Sequence, residues 1–201
     1  MRYFPISYDT KDKTALLLGG GPSALKQLES LWDLDFTFYA IGEEFLPEFK
    51  VKSLENPRKL QIKSVPLIED FPFMGYDFII IATEDGNLNA AFEKRANSRK
   101  LPYITISGSS ALRPLPYKNY SSYALAIVME ENSTDISEIL LEELDGSAKE
   151  ISKEKISILQ NIREALERSG QENISKIIKD LWDKEAFVLE DYLKNVDTEN
   201  E

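Results

Sequence analysis

Gly19, Gly20, Gly21 and Ala24 stand in the spacing Gly-x-Gly-x-x-Gly/Ala, within the stretch TALLLGGGPSALKQLESL. Each position has a task if a diphosphate rests there. Gly19 allows a tight turn out of a strand. Gly21 has no Cβ to hold a pyrophosphate off the backbone, and Ala24 is small enough for a helix to lie close to a sheet. The helix start at Pro22-Ser23-Ala24 adds free N–H groups and a positive dipole end. The same turn also serves α/β proteins that bind nothing. Binding is favoured here because the motif lies between a strand-like and a helix-like segment.

A dinucleotide held this way needs an acid about 20 residues further on to grip the ribose. The next strand-like run closes on Ile41-Gly42-Glu43-Glu44, and Glu43 is the candidate. A carboxylate there repels a 2′-phosphate and favours NAD over NADP; read otherwise, Glu43 is a solvated loop acid. The chain has no His and no Cys. Any general acid or base is therefore Asp, Glu, Lys or Tyr, and disulfides, thiolate metal sites and cysteine nucleophiles are excluded. No metal site is expected.

The elements that must position these residues follow from apolar patterning. Thr14–Gly19 reads as a buried strand, and Pro22–Trp32 as a helix with Leu25, Leu28 and Leu31 on one side. Phe36–Ile41, Tyr76–Thr83 and Pro102–Ile106 read as further strands, with a helix over Asn87–Ser98. Strands apolar on both faces and alternating with helices indicate a parallel sheet covered on both sides. Between residues 44 and 74 the pattern is weak, with one short strand near Leu60–Val65. From residue 108 a Ser- and Pro-rich loop leads to a strand at Tyr123–Met129. A helix follows over Ser133–Leu144, capped by Ser133 or Thr134 and ended by Asp145-Gly146-Ser147. Charged amphipathic helices complete the chain, one with Ile174, Ile177, Ile178 and Leu181 in register. Trp32 and Trp182 read as core or interface anchors.

The expected fold class is α/β: a Rossmann-like parallel sheet domain, a small α+β element and a helical C-terminal region. The expected boundaries are 1–113, 114–148 and 149–201. Net charge is −11, but residues 1–129 hold 15 basic and 15 acidic side chains, so all the excess acid lies beyond them. No basic face invites nucleic acid. No apolar run reaches the roughly 18 residues a membrane span needs, and the N-terminus has no signal core. A cytoplasmic protein without a membrane partner is expected.

Three blocks carry a family resemblance. YFPISYDTKDKTALLLGGGPSALKQLESL resembles the start of the siroheme-synthase N-terminal family, the precorrin-2 dehydrogenases, some of which are also sirohydrochlorin ferrochelatases. YDFIIIATEDGNLNAAFEKRANSRKLPYITI is similar to that family's strand, Ala-Thr-Asp-Asp turn, Leu-Asn helix and next strand. ALAIVMEENSTDISEILLEELD resembles its dimerisation strand and helix. The resemblance implies a homodimer with NAD on the glycine turn, Thr83 included. It also implies dehydrogenation of precorrin-2 to sirohydrochlorin, with ferrous iron insertion as a second step in some members.

The departures fall at the site. The family's Asn-Val-Val-Asp is here Ile104-Thr105-Ile106-Ser107, so Ser107 stands where the resemblance implies the Asp thought to serve both reactions. A serine hydroxyl is no carboxylate base at neutral pH. Glu84 and Asp85 are the nearest carboxylates in the family layout, with Asp85 the catalytic candidate beside Ser107; both also read as helix-capping acids. The family's Gly-Gly-Lys-Ser-Pro becomes Glu130-Glu131-Asn132-Ser133-Thr134, which keeps Ser133. The eight carboxylates of precorrin-2 demand positive charge, for which Arg113 and Lys118 are the candidates, while Tyr117 and Tyr120 read as stacking or packing aromatics. Two function classes remain: a precorrin-2 dehydrogenase, and a degenerate paralogue that binds nucleotide or tetrapyrrole as sensor, carrier or partner subunit without turnover.

Overall fold

The apolar run of β1 (Thr14–Leu18) is buried on both sides, and its alternation explains the layers. Ala15 and Leu17 face one core, with Ala24, Leu28, Phe38, Ala40 and Phe49. Leu16 and Leu18 face another, with Phe73, Ile79, Ile81, Phe92 and Ala96. A strand two-sided in this way belongs at the centre of a parallel sheet. The computed structural model describes residues 5–106, 112–120, 123–129 and 134–198, and places β1 there.

Beside β1 lie β2 (Thr37–Gly42) and β4 (Phe78–Ile81), with β3 (Leu60–Ser64) and β5 (Tyr103–Thr105) outside them. The order is β3-β2-β1-β4-β5, every pairing parallel. Helices α1 (Pro22–Ser30) and α2 (Pro47–Glu55) bury Ala24, Leu28 and Phe49 on one face; α3 (Gly86–Ser98) buries Phe92 and Ala96 on the other. The Rossmann-like α/β reading holds. Helix α2 falls in the stretch that carries little pattern, because Phe49 alone is buried while Val51 and Leu54 are exposed.

The chain divides into two compact units, Ile6–Pro114 and Leu115–Glu201. In the second, β6 (Tyr117–Asn119) pairs antiparallel with β7 (Ala124–Ala126), and α4 (Thr134–Glu150) packs on the pair. The strand β6 lies in a stretch read from sequence as loop. Helix α4 also runs on to Glu150, through the Asp-Gly-Ser expected to end it. Asp145 is held in helical register by Lys149 one turn later at 2.7 Å, by Lys118 at 3.1 Å and by the Tyr120 hydroxyl at 2.7 Å. Nothing crowds Gly146, and Ala148 gives the extra turn a buried contact. Lys149, then Tyr120 and Lys118, hold the Asp145 carboxyl well below the usual carboxylate range. Burial and the bond to Asp145 push the Tyr120 phenol up to about 12. Tyr120 also stacks on Tyr123 at 4.9 Å, so it is a packing aromatic.

Helices α5 (Lys153–Arg168), α6 (Ile174–Leu181) and α7 (Ala186–Thr198) enclose a third core of Ile158, Leu159, Ile162, Leu166, Leu181 and Leu189. The periodic Ile174, Ile177 and Ile178 pack against it. Trp32 packs on the first core, stacked on Phe38. Trp182 is not a core residue of this chain: it is 45% exposed, with the Lys155 ammonium 5.6 Å above its ring. Among the described residues no helix is long and apolar enough to cross a membrane.

Candidate functional site

In the order β3-β2-β1-β4-β5 the chain reverses direction across the sheet between β1 and β4. Open parallel sheets bind ligands at the carboxyl ends of the strands flanking such a switch point. Three segments converge there: Gly19–Gly21 after β1, Gly42 at the end of β2, and Ala82–Asp85 after β4.

The glycines are required by different neighbours. Gly19 has φ +123°, and a Cβ on it would stand 2.3 Å from the Ala82 carbonyl oxygen. A Cβ on Gly20 would stand 2.1 Å from the Glu44 carbonyl oxygen and 2.8 Å from the Phe45 ring. Gly20 is therefore a packing glycine, fastened by the Leu46 N–H that donates to its carbonyl at 3.0 Å. At Gly21 the space that a Cβ would fill is bounded by a flexible side chain, with Glu84 Oε1 2.7 Å away. Ala24 is fully buried against the sheet, as the motif demands.

Gly21 is the N-cap of α1 and has no side chain with which to cap it. Pro22 occupies the first turn, which holds no acidic residue, and the Ser23 and Ala24 N–H groups meet no acceptor among the described residues. Helix α3 starts in the opposite way: Asp85 Oδ1 accepts from the Asn87 N–H at 2.8 Å and the Leu88 N–H at 3.2 Å. One helix is closed by the chain's own carboxylate, while the other leaves donors and a positive dipole end for an anion. These free donors suit the diphosphate of a nicotinamide dinucleotide in their chemistry.

Thr83 is buried, and its polar atoms are spent within the turn. Its N–H and hydroxyl donate to Asn89 Oδ1 at 3.1 and 2.7 Å, and its carbonyl accepts from Asn89 Nδ2 at 2.8 Å. The sequence places Asn89 in the Leu-Asn pair of the family resemblance without a role for it; its signal is a polar residue beside the buried Phe92 face of α3. Asn89→Ala is expected to lower stability by about 2–3 kcal/mol, because buried Thr83 groups lose their partners. Urea denaturation reads this as an earlier midpoint, and an unchanged midpoint contradicts the role given to Asn89.

The remaining candidates are spread out. Ile41 and Gly42 are buried at the end of β2. Glu43 beyond them is exposed and bonds to no described residue. Arg113 is half-buried in the first unit. Lys118 lies in the second and is ion-paired to Asp145. Ser107 and Ser133 lie outside the described residues. Among the described residues no group of three His, Cys, Asp or Glu side chains is placed to hold a metal ion.

The structure of SirC, a precorrin-2 dehydrogenase, superposes with a TM-score of 0.69 at 14% identity, covering 98% of this chain and 100% of that one. The likeness extends the fold past the nucleotide-type domain into the helical region. No curated protein matches the sequence. The sequence model of a family described as putative NAD(P)-binding matches residues 6–110, more than half the chain and nearly all of the first unit. With the open α1 terminus at the switch point and this match over it, the chain belongs to that putative NAD(P)-binding family.

Proposed function

We propose that this protein is an NAD-dependent dehydrogenase of the precorrin-2 type, converting precorrin-2 to sirohydrochlorin. The observation that carries the reading is the uncapped α1 N-terminus at the β1–β4 switch point. It stands in a chain whose whole fold follows that of a precorrin-2 dehydrogenase. Gly19 to Ala24 would hold the diphosphate, and Ile41, Gly42 and Glu43 the adenosine ribose. When bound, the nicotinamide supplies the hydride acceptor.

The chain's own residues orient and move protons. The Thr83–Asn89 pair fixes the turn beside the cradle. Asp85 spends Oδ1 on its helix, but Oδ2 accepts nothing from a described residue and is the atom proposed to take a proton. Ser107 is the second proposed catalytic residue, by its place in the family pattern; its hydroxyl would hydrogen-bond the substrate and not serve as the base. For the substrate's carboxylates, Arg113, Lys118 and Ser133 are the proposed contacts. Lys118 and Lys149 share the single Asp145 carboxylate, which leaves that cluster one positive charge in excess. Helix α4 presents Ile136, Ile139, Leu140 and Leu144 to solvent, and a second copy of the chain is the proposed cover, giving a homodimer. A cytoplasmic location accords with these assignments.

The test is incubation of the purified protein with precorrin-2 and NAD, following the absorbance of sirohydrochlorin, with a parallel arm containing ferrous iron to detect metal insertion. Product formation that depends on NAD supports the dehydrogenase. Nucleotide binding without product supports the second reading, a nucleotide or tetrapyrrole binder without turnover. The observations favouring that reading are Ser107 in place of the family's Asp and the use of Asp85 as a helix cap.

A further inference from the structure

At the mouth of the cradle, facing Gly21, stands Glu84. Its Oε1 lies 2.7 Å, Cγ 3.3 Å and Cδ 3.4 Å from the position a Gly21 Cβ would take. The absent Cβ is what would let a diphosphate approach, so the carboxylate lies across that approach. Glu84 is exposed and makes no hydrogen bond or ion pair with a described residue. Its neighbour Asp85 is fastened to α3 by two backbone donors, whereas Glu84 is tethered only by its own backbone. An unpartnered carboxylate beside the positive end of α1 is attracted by the same donors that a phosphate would use.

We infer that Glu84 is a tethered competitor for the diphosphate, a residue that weakens and so tunes dinucleotide affinity by holding negative charge in the cradle. The inference rests on the nucleotide reading above. Binding requires the Glu84 side chain to swing out, which its exposure permits. The effect is specific to the anionic part of the ligand and falls as salt rises.

Glu84→Gln keeps the shape and removes the charge. By calorimetric titration at low salt, E84Q is expected to bind ADP-ribose and NAD about tenfold more tightly than the wild type, a gain that shrinks in 0.5 M salt. Adenosine, which carries no phosphate, is expected to bind both proteins equally. Equal or weaker ADP-ribose binding by E84Q overturns the inference while leaving the nucleotide site standing. So does an equal gain for adenosine, which would trace the effect to the fold and not to charge. Binding of ADP-ribose and NAD by neither protein overturns the nucleotide reading and the competitor with it. Binding by E84Q alone supports both.

Discussion

Gly19→Ala is expected to unfold the sheet domain or to lower its melting temperature by about 15 °C or more, with a loss of roughly 3–5 kcal/mol. Two costs add. At φ +123° the backbone adopts a conformation that a side chain tolerates poorly. The new methyl would also lie 2.3 Å from the carbonyl oxygen of Ala82. That oxygen has little room to move, because the Ala82 N–H is bonded to the Leu18 carbonyl at 3.0 Å and the next residue is locked by Asn89. The loss is comparable with the whole stability of a typical domain. Gly86→Ala is the matched control: nothing lies within 4 Å of its Cβ position, and its melting curve should overlay the wild type. A Gly19→Ala protein that melts with the wild type would contradict the packing described at the switch point.

Gly21→Asp is expected to leave the fold largely intact and to weaken NAD binding at least about 100-fold, some 2.7 kcal/mol. The neighbour met by the new Cβ is the end of the Glu84 side chain, which can turn into solvent, so the cost to the fold is small. The cost to a ligand is large. A second carboxylate joins Glu84 at the cradle, caps α1 with negative charge and occupies its free donors, as Asp85 does for α3. Circular dichroism should show wild-type helix content, while titration with NAD shows no measurable heat. Unchanged affinity would remove the diphosphate from this corner.

Comparison of these two glycines shows how far the sequence could be read. The Gly-x-Gly-x-x-Ala spacing told that a turn joins a buried strand to a helix, because both flanking segments are strongly periodic. It assigned the middle glycine to no neighbour. Gly20 is needed for Glu44 and Phe45, residues 24 and 25 positions away, and no local pattern reports such a contact. Helix α2 and strand β6 were invisible for a related reason. Each has few buried side chains, so there is no apolar stripe to see. The end of α4 was misjudged because Asp-Gly-Ser is a turn signal only when nothing holds its aspartate, and here Lys118, Tyr120 and Lys149 do. At the site, the dual reading of Asp85 could be narrowed once its two amide donors were seen, whereas the approach of Glu84 to Gly21 depends on the β1–β4 pairing.

The central claim is that a dinucleotide rests its diphosphate on the open start of α1. Amide chemical-shift mapping of the isotope-labelled protein during titration with NAD measures this residue by residue. The largest displacements are predicted at Gly20, Gly21, Ser23 and Ala24, with smaller ones at Glu43 and Glu84. Saturating shifts confined to other residues, with these amides unmoved, would contradict it.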